Sequence, residues 1–360
     1  MLRSVVCLVG FGLTMIAAAQ PSSLRVVGNK IRDQKGNVVR LQGVNVPSLD
    51  WSPTGENVMQ SIDVAIDDWK ANIIRIPLTQ DLWYGYYRGN RAADGGDSYR
   101  KLVDAIVKKI SDKKAYVLLD LHWSNGGVWG KNVGQHQMPD ENSVVFWKDF
   151  AKRYANNPAV LFDLYNEPYG VSWDVWKNGG LIDERNTDPA RGLELKYKSP
   201  GMQGVLNAIR STGAKNIVIA GGLDWGYDLR GVLDGFALED KSGNGIVYGT
   251  HIYPWKKEWD ACVTPVIAKH PVLVGEVGTK PWEPGHPAHE NVYTKEWAPD
   301  VMAYMEKYQL SWTAWSFHPT ANPCIITGWD YKPTAYWGSY VKEALAKAAV
   351  ARGRKNPTSK

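Results

Sequence analysis

"ENSVVFWKDFAKRYANNPAVLFDLYNEPYG" (141–170) is the stretch on which the fold turns. Its first half, 141–155, has helical spacing: Phe146, Phe150 and Tyr154 fall on one face. Its second half, 160–167, reads as a buried strand, with apolar residues alternating from Leu161 to Tyr165. The strand then ends on Asn166, Glu167 and Pro168. A lone buried carboxylate is costly unless it is paired or holds its proton. Glu167 is therefore either a solvated strand end or part of a pocket that uses it.

The same rhythm runs outward in both directions. Upstream lie "LQGVNV" (41–46), a helix over 56–70, "NIIRIPL" (72–78), a helix over 99–113 and "YVLLDLH" (116–122). Downstream come a helix within 196–212, "NIVIAGG" (216–222), a short helix over 227–237 and "GIVYGTHIYPW" (245–255). A partly helical 259–270, "PVLVGEVG" (271–278), a helix over 296–309, "LSWTAWSFH" (310–318) and a helix over 335–350 complete the series. Strands alternating with helices predict parallel strands joined by crossovers, and eight such units predict a (β/α)8 TIM barrel. A doubly wound sheet would carry a Gly-rich turn after its first strand, which "LQGVNVPSLDW" lacks. An N-terminal β-hairpin over 24–43, turning at Lys35-Gly36-Asn37, precedes the barrel, and 352–360 is a polar tail.

"MLRSVVCLVGFGLTMIAAAQ" reads as a secretory signal: Arg3, an apolar run and Ala17-Ala18-Ala19 before a cut at Gln20. Removing 1–19 leaves a single domain, 20–360, that is expected to be secreted, without a membrane anchor and monomeric. Cys7 leaves with the signal, so Cys262 and Cys324 are candidates for a disulfide in an oxidising compartment, the alternative being two buried thiols. The net charge of +5 is mild and has no dense basic stripe, which gives nucleic-acid binding no support. The anomaly is aromatic: 17 Trp and 18 Tyr against 6 Phe, residues whose flat faces suit sugar rings as well as cores.

In a barrel of this kind chemistry gathers at the C-terminal ends of the strands. Those ends carry Asn45, Arg75, His122, Asn166, Glu167, Trp225, His251, Tyr253, Glu276, Trp315 and His318. Glu167 and Glu276 end strands four and seven, which face each other across the barrel mouth. Two opposed carboxyl groups are what glycosidic cleavage needs, one protonating the leaving oxygen and the other attacking the anomeric carbon or activating water. Arg75 is placed to keep Glu276 ionised, Tyr253 to hydrogen-bond it, and Asn166 to meet a sugar hydroxyl.

This set resembles glycoside hydrolase family 5, whose members are retaining β-glycanases on a (β/α)8 barrel. Asn166-Glu167-Pro168 matches the family's acid/base motif, and Glu276 its nucleophile on strand seven. Arg75, His122, the pair His251 and Tyr253, and Trp315 match its arginine, histidine, His-x-Tyr and strand-eight tryptophan. The resemblance runs from about Leu41 to Val350 and implies a polysaccharide or oligosaccharide substrate, with no cofactor or metal. It departs at Val277, where many members carry an aromatic, and at 169–195 and 279–296, which match no subfamily.

The expectation is an endo-β-glycanase on cellulose-type β-1,4-glucan, with the two carboxyl groups roughly 5–5.5 Å apart. β-Mannan, other β-glycans and exo-action stay open, as does a non-catalytic carbohydrate-binding barrel. Trp315, Trp123, Trp225, Trp255 and His318 are the candidate substrate contacts, whereas Trp69 and Trp147 lie on helices as core. Trp51, Trp83 and Trp282 fit either role. A serine hydrolase would need a G-x-S-x-G elbow, and a metal site an HxH or HExxH spacing, and neither is present.

Overall fold

The computed structural model describes residues 20–185, 194–281 and 293–354. Eight parallel strands close into a barrel in chain order: Gln42–Asn45, Ile73–Thr79, Tyr116–Trp123, Val160–Asp163, Val218–Gly221, Ile246–Ile252, Val272–Val277 and Ser311–Ala314. They are strands one to eight below.

Alternation along each strand sorts side chains to two sides. On strand three Val117, Leu119 and Leu121 face the helices, while Leu118 joins a separate inner cluster with Ile73, Leu161, Ile219, Val247 and Leu273. The inner rows change character as they climb. Leu118 is followed two residues on by Asp120 and then His122, Ile73 by Arg75, and Leu161 by Asp163. The barrel is thus apolar near its base and charged near its mouth.

The N-terminal hairpin closes the base, its Leu24 and Ile31 belonging to that same inner cluster. It is tighter than expected. Arg25–Val27 pairs with Lys30–Arg32 across Gly28-Asn29, and Gly28 takes the φ of +60° such a turn needs. The expected turn at Lys35-Gly36-Asn37 exists as a second bend, closed by an Arg32–Val38 bridge.

Three crossovers, expected to hold a helix within 196–212, a short helix over 227–237 and a partly helical 259–270, are the irregular ones. Residues 196–199 belong to a strand, Glu194–Ser199, paired antiparallel with Gly180–Arg185, and the helix starts only at Gly201. Between strands five and six lie two short irregular turns, Leu223–Gly226, broken at Asp224 and Trp225, and Val232–Phe236, broken at Asp234 and Gly235. Residues 259–270 form two separate turns, Trp259–Cys262 and Thr264–Ile267, the second opening around Pro265. The last helix, Gly338–Arg354, runs into the expected polar tail, whose remaining residues 355–360, like the expected signal 1–19 and Trp282, lie outside the described residues.

The expected disulfide is absent: Cys262 and Cys324 are both buried free thiols. Cys262 sits in the loop after strand six and Cys324 in the loop after strand eight, with strand seven between them in the barrel. Trp69 and Trp147 are fully buried, and so is Trp83, whose Nε1 donates to Asp149 at 2.7 Å. Among the described residues no helix is long and apolar enough to cross a membrane.

Candidate active site

Arg75 anchors the mouth of the barrel. It is fully buried, and its guanidinium makes four hydrogen bonds and one further ion pair. Nε donates to Asp163 Oδ2 (3.0 Å), Nη1 to Glu276 Oε1 (2.9 Å) and Asn45 Oδ1 (3.0 Å). Nη2 donates to Asn166 Oδ1 (2.8 Å) and pairs with Asp120 Oδ2 (3.0 Å). Burial alone would discharge the guanidinium, but the carboxylates of Asp120, Asp163 and Glu276 outweigh it and hold the charge. The same burial pushes Asp163 up, with Asp120 and Glu276 adding repulsion, while Arg75 pulls the other way.

Glu276 is clamped from both sides. Arg75 holds Oε1, and the Tyr253 hydroxyl donates to Oε2 at 2.6 Å. Glu167 has a different environment. Its Oε1 shares one hydrogen bond with His251 Nδ1 (2.9 Å), and burial pushes its pKa up to about 7. His251 itself is pushed down to about 4 by burial, so it is neutral and gives Glu167 no opposite charge. One carboxyl group is fixed by donors and the other is poised to carry a proton.

Glu167, His251 and Glu276 each offer an oxygen or nitrogen within 4.8 Å of the others. This is also the one trio with metal-ligand spacing among the described residues. Its donor atoms are already engaged by one another, by Arg75 and by Tyr253, and the guanidinium charge opposes a cation.

Aromatic rings flank the pair on both sides. On one side Trp315 stacks on His122 with centroids 5.6 Å apart. Burial works against charge on His122, but Asp120, 2.6 Å from its Nδ1, prevails and pushes the pKa up to about 9. Trp123 is half-buried next to it, 6.3 Å from His122. On the other side Trp225 and Trp255 are 45% and 48% exposed, each stacked flat on a tyrosine, Tyr169 and Tyr253 respectively.

His318 differs from expectation. It is 2% exposed, packed edge-on against Trp51 and Trp329. Its Nε2 bonds Glu56 and its Nδ1 accepts from the Ala321 amide. It therefore buttresses Trp51 instead of presenting a free edge. Asn166 is oriented from both ends, Arg75 donating to its oxygen at 2.8 Å and one N–H of its Nδ2 donating to Gln135 Oε1 at 3.0 Å, which leaves the second N–H for a sugar hydroxyl.

Asp120 and Asp163 went unnoticed in the sequence, although their signal was there. Each is a charge on the inward row of an otherwise apolar strand, in "LLDLH" and "LFDLY". Gln135 left no such trace. It lies in a long loop, yet its Nε2 donates to the Glu167 carbonyl at 2.8 Å.

Comparison with known proteins identifies the family. The family described as Cellulase (glycosyl hydrolase family 5) matches residues 32–321. Endoglucanase MaCel5A of Microbulbifer sp. (strain ALW1) is 24% identical over 344 residues, covering 91% of this chain and 59% of that protein. The chain thus spans little more than half of that relative. An endoglucanase of Paenibacillus polymyxa is 25% identical, covering 85% of this chain and 82% of its own. Among solved structures, β-glucanase SdGluc5_26A from Saccharophagus degradans in complex with cellotetraose superposes with a TM-score of 0.71 at 23% identity, covering 92% and 95% of the two chains. The catalytic domain of Thermobifida fusca endoglucanase Cel5A gives 0.62 at 20%, covering 90% and 97%. With the family matched along most of its length, this TIM barrel belongs to glycosyl hydrolase family 5, the cellulases.

Proposed function

We propose that the protein is an exported, retaining endo-β-1,4-glucanase, with Glu276 as nucleophile and Glu167 as acid/base. The observation that carries this reading is the closeness of the two carboxyl groups, whose facing oxygens lie within 4.8 Å. An inverting pair stands roughly 6.5–9.5 Å apart to admit a water, so this gap favours direct attack.

In the first step a Glu276 oxygen bonds the anomeric carbon while Glu167 passes its proton to the departing glycosidic oxygen. The Glu167 pKa of about 7 keeps that proton available near neutrality. In the second step Glu167, now ionised, takes a proton from water, which attacks the same carbon and releases Glu276. Arg75 and Tyr253 steady the Glu276 carboxylate before attack and as it leaves. Inversion twice over returns the β-anomer.

A β-1,4-glucan is favoured because relatives along most of the chain are named endoglucanases, and SdGluc5_26A was solved with cellotetraose. Endo-action is favoured by aromatic faces on both sides of the carboxylates, which suit a chain lying through the cleft. Export rests on the leader-like residues 1–19.

The test assays purified enzyme on soluble cellulose derivative, mannan, xylan and β-1,3-glucan, reading viscosity and reducing ends together. Early loss of viscosity on the cellulose derivative, with activity lower by orders of magnitude in Glu276→Gln, is expected. Preference for another polymer would overturn the substrate, and an α-anomer as first product would overturn the mechanism.

A further inference from the structure

Lys256 lies in the loop after strand six and is nearly buried at 8% exposure. Its Nζ donates to the Asp224 carbonyl (2.6 Å) and pairs with Asp224 Oδ2 (2.8 Å). The same ammonium stands 5.3 Å from the Trp225 ring centroid and 5.4 Å from that of Tyr227. The lysine is itself pinned, its amide donating to the Tyr253 carbonyl and its carbonyl accepting from Trp259 Nε1.

The segment it grips has an unusual backbone. Asp224 and Trp225 are consecutive left-handed residues, with φ of 58° and 56°. Side chains with a Cβ rarely adopt that conformation, and two in a row persist only where surrounding contacts hold them. The Trp225 amide donates to the Pro168 carbonyl at 3.1 Å, immediately after Glu167. Its indole lies parallel to Tyr169, 4.6 Å away and tilted by 8°, with almost half its surface open. Next in sequence, Gly226 presses on His251, where an added Cβ would come 3.2 Å from the ring.

We propose that Lys256 is a positioning residue that holds Trp225, through Asp224, as a flat platform for a sugar ring on the leaving-group side. The inference rests on the glycanase reading above, in which Glu167 protonates the leaving oxygen. Trp225 hangs from the residue after Glu167, whereas Trp315 lies on the opposite flank with His122. A ring on Trp225 therefore belongs to the departing portion, and Lys256 sets how strongly longer chains are preferred.

The experiment uses the full-length protein with Lys256→Met, Trp225→Ala and the double substitution. Crystal structures are paired with kcat/KM on a cello-oligosaccharide and on an aryl β-cellobioside, which carries no sugar beyond the cleaved bond. In Lys256→Met the indole should leave Tyr169, and the ratio of the two kcat/KM values should fall roughly tenfold, mainly through KM. Trp225→Ala should lower the ratio as much, and the double variant no further. An unmoved Trp225 in Lys256→Met, or losses that multiply in the double variant, would overturn the proposal. Wild-type enzyme inactive on every β-glucan would sink the glucanase reading instead, while the Lys256→Met structure would still decide whether Lys256 holds the ring.

Discussion

Glu167 is kept protonated mainly by burial, and that has a cost for stability. Its folded pKa of about 7 lies above the ordinary 4.5, so the folded state binds this proton more tightly than the unfolded chain does. The stabilising proton is fully present below pH 4.5 and is lost as pH rises through 7. Glu167→Gln should therefore melt higher than wild type above pH 7, by up to about 3 kcal/mol, and the gain should shrink toward pH 4.5. Calorimetry across that range checks it, and equal stability at all pH values would mean that Glu167 is not strained. The same proton is the acid of the first step, so kcat/KM should fall above pH 7. A stabilising substitution that abolishes activity is the expected signature of a group kept for chemistry.

Among the elements, the N-terminal hairpin and the barrel strands divide the work of filling one tube. Leu24 and Ile31 fill the base from below, and the charged cluster around Arg75 fills the mouth. Ile31 is 4% exposed, so Ile31→Ala should cost about 2–5 kcal/mol in urea unfolding. The cluster at the mouth does not touch it, so kcat on a soluble glucan should stay within about twofold at a temperature where the variant is folded. A large loss of kcat would mean that the base and mouth of the barrel are coupled. The strands and long helices were legible because period-two and helical spacing survive where one face is buried, as in 116–122 and 141–155. The hairpin register was not, since Gly28-Asn29 and Lys35-Gly36-Asn37 carry the same turn chemistry and only the barrel base selects between them. The helix within 196–212 had a blurred start because residues 196–199 belong to a strand that pairs with Gly180–Leu181–Ile182–Asp183, a partner that no local spacing reveals.

For the molecule as a whole, the site's end-of-strand residues could be read because the barrel dictates where they gather, while Gln135 and Lys256 lie in loops whose path follows no period. The two cysteines pose the corresponding question for stability. The two cysteines that follow the expected signal invite a staple, yet the barrel already closes on itself and leaves both thiols buried. Burial pushes the Cys324 thiol up to about 11, and Cys262 is likewise raised, so little thiolate exists near neutrality to react with oxidant. Purified without reductant and cut before Gln20, the protein should therefore titrate two thiols in denaturant and react slowly when native. Its melting temperature should be the same with and without dithiothreitol. A drop on reduction, or no titratable thiol in denaturant, would mean that the loops after strands six and eight meet after all, and that the mouth of the barrel is tied by a covalent bond.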